Sequence, residues 1–287
     1  MKRLIALLGL VFLLLTGCGA KTEYAQVAAT TLPVYEFTSR LCDGTGLTVT
    51  RLINESVSCL HDYSLSVSQV KAAESAELIV LSGAGLEDFM SDLLENRPVL
   101  DASHGLSLLE SCDHDHEDHH HHEQDPHLWL SAEAAKGMCR NICAGLTAQY
   151  PAYAPVFEKN LQQLLKDLDA LQAYGETQLS ELSCRELITF HDGFSYFADA
   201  FHLTILEAVE EESGSEASAA ELKALIQLVR QHDLPAIFTE TNGSSSAASV
   251  ISRETGAAVY TLDMAMSGDS YFDAMYQNIH TIKEALE

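Results

Sequence analysis

Residues 113–123 contain nothing but imidazoles and carboxylates: six His (His114, His116, His119, His120, His121 and His122) among five acids. No apolar face exists there to bury, so the run reads as a solvated loop. Neutral imidazole is the commonest protein ligand for first-row transition metals, and dense carboxylate concentrates cations around it. The loop, 112–124 with its flanks, is expected to bind divalent metal weakly and in many geometries. The residues just beyond it differ in kind. Asp125-Pro126 punctuates the chain and sets one His, His127, beside the apolar run Leu128-Trp129-Leu130. An imidazole anchored to a core is how a defined site is built.

Three further side chains have the right chemistry: His61, in a polar turn after an apolar run, and His191 and Asp263, at the ends of apolar runs. The elements that place them are set by the pattern along the chain. Strands are predicted over 25–30, 47–53, 78–81 and 99–100, with helices opening at Pro33 and Ser68 and over 86–94 and 131–149. From Pro155 the apolar positions Phe157, Leu161, Leu164, Leu168 and Leu171 step by the period of one helix face, so residues 154–182 form a long helix of about 40 Å. Strands over 187–190, 203–209, 236–239 and 258–262 then alternate with helices over 194–201, 222–229, 246–254 and 272–286, with a polar loop at 210–218.

Strands alternating with helices mean βαβ units and parallel sheets. The predicted fold is therefore α/β: two α/β lobes with mostly parallel sheets, residues 24–150 and 183–287, joined by one long rigid helix in 151–182. Open α/β sheets bind ligands beyond the carboxyl ends of their strands. His61 comes after the second strand, His127 after the fourth, His191 after the first strand of the second lobe and Asp263 after its last, so an ion held by all four sits in the interlobe cleft. Three imidazoles and one carboxylate suit tetrahedral zinc; manganese prefers more oxygen. Glu240, at the end of another strand, is read as a carboxylate that holds an imidazole tautomer, or as an alternative ligand.

The whole chain bounds these readings. At 287 residues it accommodates two ordinary lobes, and a formal charge of −26 argues against nucleic acid as a partner and favours attraction of cations. Lys2 and Arg3 precede an apolar run over 4–15, the pattern of a secretory signal (residues 1–17). Leu15-Thr16-Gly17-Cys18 resembles the lipobox of bacterial lipoproteins, which implies a lipid on Cys18, a tether over 18–23 and an extracytoplasmic, membrane-anchored protein. The pairing of the six other Cys is left open, and Cys139 and Cys143, one helical turn apart, read as core-facing thiols.

The chain resembles the metal-binding lipoproteins of bacterial zinc and manganese ABC importers, the cluster A-I solute-binding proteins. The residues that carry this are His61-Asp62-Tyr63, Gly83-Ala84-Gly85-Leu86-Glu87, Asp125-Pro126-His127-Leu128-Trp129-Leu130, Phe190-His191-Asp192-Gly193-Phe194-Ser195-Tyr196-Phe197, Phe238-Thr239-Glu240, and Glu254-Thr255-Gly256 leading to Leu262-Asp263. In that family His61, His127, His191 and Asp263 match the ligand positions. His at the third position and the His-rich loop resemble the zinc branch, so Zn2+ is expected ahead of Mn2+. Three features depart from the pattern: Cys59-Leu60 precedes His61 where Asp-Pro or Glu-Pro is frequent, Met264 stands where Pro is frequent, and residues 210–218 lack a Pro that is frequent there.

The resemblance implies a non-enzymatic monomer that captures zinc outside the cytoplasm and delivers it to the permease of an ABC importer. Three alternatives remain at this point: a manganese-binding member of the same family, a zinc hydrolase with three His ligands and Glu240 as base, and a metal-storage or adhesin lipoprotein.

Overall fold

The computed structural model describes residues 25–55, 60, 63–110, 124–209, 218–241, 243, 245–266 and 268–287. The expected signal and tether with Cys18, the candidate ligand His61, the six His of the acidic run, and most of the 210–218 loop lie outside the described residues.

All eight expected strands form, and they build two four-stranded sheets. The first contains β1 (Val27–Ala29), β2 (Val49–Arg51), β3 (Leu78–Leu81) and β4 (Val99–Asp101) in the order β2-β1-β3-β4. The second contains β5 (Glu186–Thr189), β6 (Thr204–Ala208), β7 (Ala236–Glu240) and β8 (Ala258–Leu262) in the order β6-β5-β7-β8. Every pairing is parallel. The two sheets thus repeat one topology, and each has its reversal of strand order between its first and third strands. Such a reversal is where open α/β sheets bind ligands, beyond the carboxyl ends of the strands.

Crossover helices fill the faces: α1 (Leu32–Cys42), α2 (Val67–Ser75), the short α3 (Ser91–Leu94), α4 (Ala132–Gln149), α5 (Ala154–Gln178), α6 (Ser195–Ala200), α7 (Ala219–His232), α8 (Ser246–Thr255) and α9 (Tyr271–Leu286). Their starts are written locally. Pro33 occupies the first turn of α1, where its missing N–H costs nothing. Ser66 with Gln69, and Ser218 with Glu221, form reciprocal capping boxes. The helix expected over 86–94 is instead a 3-10 turn, Asp88–Met90, succeeded by the one turn of α3. Gly83, Ala84 and Gly85 all have positive φ just before it, which turns the chain too tightly for a regular helix to start at Leu86.

The long helix ends at Gln178 rather than 182, after 25 residues. Its buried face is Phe157, Leu161, Leu164, Leu168 and Leu171, as the period requires, extended by Gly175, where a Cβ would strike the Phe201 ring. One continuous core runs from the first sheet through α4, α5 and α9 to the inner face of the second sheet. A separate cluster, including Ile188, Leu225, Val229, Ile237 and Ile251, lies under α7 and α8 on the outer face. Arg40 of α1 links three elements, pairing with Asp167 of α5 and lying over the Phe272 ring of α9 at 4.9 Å. Cys139 and Cys143 are buried and free, as core-facing thiols should be.

Candidate metal centre

His127 is buried at the end of the approach to a 3-10 turn, Leu128–Leu130, that leads into α4. The Asp125-Pro126-His127 spelling explains its pose. Asp125 Oδ1 accepts a hydrogen bond from the His127 backbone N–H at 2.9 Å and lies 2.8 Å from Nδ1 of the same residue. The turn is of the kind Asp makes with the backbone two residues on. With Nδ1 engaged, Nε2 is the nitrogen left to bind an ion, and a carboxylate behind an imidazole raises its basicity as a ligand.

His191 stands one residue beyond Phe190, just past β5. Its ring lies 5.4 Å from that of His127, centroid to centroid. Two imidazoles on one tetrahedral zinc place their centroids roughly 5 Å apart, given a Zn–N bond near 2.0–2.1 Å, so the pair fits a shared ion. Gly193 is what lets them meet. A Cβ there would lie 2.8 Å from His191 Cδ2 and 3.1 Å from His127 Cε1, as well as 2.5 Å from Met264 Cε. Both of those ring carbons adjoin Nε2.

Behind His191, Nδ1 faces Glu240 Oε2 at 4.0 Å. Burial pushes the Glu240 carboxyl up to about 7, and the neighbouring Asp263 charge pushes the same way. Among the described residues its Oε2 has no hydrogen-bond partner. Asp263 is also raised by burial, against one donor, the Ala265 N–H at 2.7 Å from Oδ1. Its backbone is held by Asn278, whose carboxamide accepts from Asp263 N at 2.8 Å and donates to Asp263 O at 2.6 Å.

Of the four expected ligands, then, His127 and His191 converge, Asp263 stands near Glu240, and His61 lies outside the described residues. No group of three His, Cys, Asp or Glu that could hold a metal ion is present among the described residues. Sequence reasoning named Glu240 but missed Asp125, Gly193 and Asn278. For Asp125 the signal was the two-residue spacing to His127; for Asn278, on a helix 15 residues past the aspartate, none existed.

The sequence matches the family described as zinc-uptake complex component A, periplasmic, over residues 27–285. The chain belongs to that family. Within and around it, the zinc-binding lipoprotein AdcA of Streptococcus pneumoniae serotype 4 is 30% identical in an alignment that covers 100% of this chain and 62% of the relative. The chain therefore spans less than two thirds of that relative's length. The high-affinity zinc uptake system protein ZnuA of Bacillus subtilis is 28% identical, with 96% of this chain and 94% of the relative covered. Among solved structures, a crystal structure of ZnuA superposes with a TM-score of 0.79 at 27% identity, covering 92% of this chain and 100% of that one. The two parallel sheets and the long helix between them are thus the architecture of ZnuA-type solute-binding proteins.

Proposed function

We propose that this chain captures Zn2+ outside the cytoplasm and hands it to the permease of an ABC importer, with His61, His127, His191 and Asp263 as the ligands. The observation that carries the reading is the His127–His191 pair at 5.4 Å, each ring backed on Nδ1 by its own carboxylate, Asp125 at 2.8 Å and Glu240 at 4.0 Å. Orienting an imidazole from behind is the recurrent means of fixing its metal-binding nitrogen. Two nitrogens and a nearby carboxylate suit zinc better than calcium or magnesium, which take nearly all oxygen. The Zn2+ is cargo: no bond is made or broken, and four protein ligands leave no place for an activated water. Release must come from movement of the lobes or from loss of one ligand.

The acidic His run at 113–123 collects zinc, or reports its abundance, without forming the tight site. The anchoring reading keeps its own basis, the Leu15-Thr16-Gly17-Cys18 lipobox, and places the monomeric protein on the outer face of the membrane. X-ray absorption on protein loaded with one zinc tests the site: three nitrogens and one oxygen are expected, and a bound exchangeable water overturns the transport reading in favour of a hydrolase. His191→Ala should abolish tight zinc binding. Deletion of 113–123 should remove only weaker equivalents in calorimetry.

A further inference from the structure

Trp129 is the sole tryptophan of the chain and is fully buried. It could be core filler, but its polar groups point elsewhere. The indole Nε1 donates to the Met264 carbonyl at 2.7 Å, and its own carbonyl accepts from Tyr271 Oη at 2.7 Å. One residue of the first half thereby grips the segment between β8 and α9 near both ends. The grip is reinforced at Tyr271, whose backbone N–H donates to Glu36 Oε2 of α1 at 2.6 Å and whose ring meets Phe37 edge-on at 4.9 Å.

The gripped atoms adjoin the metal centre on both sides. Trp129 lies two residues beyond His127, with the two rings 5.3 Å apart. Met264 is the residue after Asp263, whose own backbone is already clamped by Asn278. We infer that Trp129 is a positioning residue: its indole N–H ties the backbone of Asp263, from one half, to that of His127, from the other, so that these two ligands form a preassembled half-site before zinc arrives. His191 then completes the site from the β5 tip. The inference rests on the zinc-site reading above. It identifies the pair that stays together when the halves move, and so assigns release to the ligands outside the clasp.

The test is a double-mutant cycle on the full chain, with Zn2+ itself as the probe and affinity read by chelator competition well below the unfolding temperature. Trp129→Phe keeps a ring in the core and deletes the N–H. It should weaken zinc binding about tenfold, the scale of one buried hydrogen bond, and speed hydrogen exchange in 263–271 of the apo protein. Asp263→Ala should weaken binding more. The decisive result is the double variant: if Trp129 acts through Asp263, it binds no more weakly than Asp263→Ala alone. Full additivity, or unchanged affinity in Trp129→Phe while Asp263→Ala is impaired, overturns the clasp and leaves the site standing. Unchanged affinity in Asp263→Ala overturns the ligand reading and the clasp with it. Tyr271→Phe, which releases the other end and retains the indole, runs the same cycle should Trp129→Phe fail to fold.

Discussion

The two sheets share a strand order, and each has a buried glutamate at the carboxyl end of its third strand or in the turn just after it, with burial pushing the carboxyl up to about 7 in both. The likeness ends there. Glu87, after β3, accepts from Thr30 Oγ1 at 2.5 Å, Ser82 N at 2.8 Å and Gly83 N at 3.0 Å, so its oxygens are engaged by the tips of β1 and β3. Glu240, closing β7, has an Oε2 with no hydrogen-bond partner among the described residues, and Asp263 presses on it with a like charge. A raised carboxyl alone therefore does not mark function. What separates the two corners is whether the protein supplies the donors: on the second sheet Glu240 is left beside a like-charged carboxylate and faces His191 Nδ1 at 4.0 Å.

The sharpest way to break this comparison is to truncate each glutamate. Glu87→Ala leaves Thr30 Oγ1 and two buried N–H groups without an acceptor and should destabilise the fold by about 3 kcal/mol, read in urea melts, with zinc affinity within twofold of wild type. Zinc binding that fell in step with stability would make the first corner part of the site. Glu240→Gln should do the reverse. Removing an uncompensated charge stabilises the apo protein at pH 8, while zinc affinity drops by about 10- to 100-fold because the group behind His191 is no longer an anion. Equal stability losses in the two variants would erase the distinction.

The pH dependence sharpens it further. Both glutamates sit above their ordinary 4.5 in the folded state. Each therefore contributes stability that is full below about 4.5 and is lost as pH rises towards about 7, where the folded protein must give up a proton it holds more tightly than the unfolded chain does. The apo melting temperature should fall over that window, and the fall should be shallower in Glu240→Gln. Zinc reverses the sign at the second corner only, since the ion favours the ionised carboxylates. Affinity should rise with pH through 7, with proton release measured calorimetrically in buffers of different ionisation enthalpy. Proton release of the same size in Glu240→Gln would show that the proton comes from elsewhere.

Much of this was legible before the fold was. The eight strands were legible most plainly where a parallel strand is buried on both faces and so apolar throughout, as in Leu78-Ile79-Val80-Leu81. His191 and Asp263 were visible because each falls where an apolar run stops, and His127 because it opens one. What stayed hidden was the support around them. Asn278 reaches Asp263 from a helix, and Trp129 reaches Met264 across the two halves at a separation of 135 residues. Such contacts are set by packing, and no local pattern encodes them. The stretch over 86–94 failed for a different reason: its apolar spacing is helical, but three successive positive-φ residues come first. The turn overrode the periodicity.

The smallest effect tests whether the two corners are mechanically separate. Thr30→Val is nearly isosteric and deletes only the hydroxyl donor to Glu87, leaving the Ser82 and Gly83 N–H groups in place. The expected cost is about 1 kcal/mol. That bond lowers the Glu87 carboxyl against the burial that raises it, so its loss lifts the carboxyl further, and the deficit should grow between pH 5.5 and 8 as the anion loses a donor it needs. Glu240 has no comparable donor to delete among the described residues; it faces His191 Nδ1 at 4.0 Å instead. Zinc affinity in Thr30→Val should therefore match wild type at both pH values. If it fell with stability, the β1 tip would be transmitting strain to the metal centre, and the donor-satisfied corner could no longer be treated as scaffold.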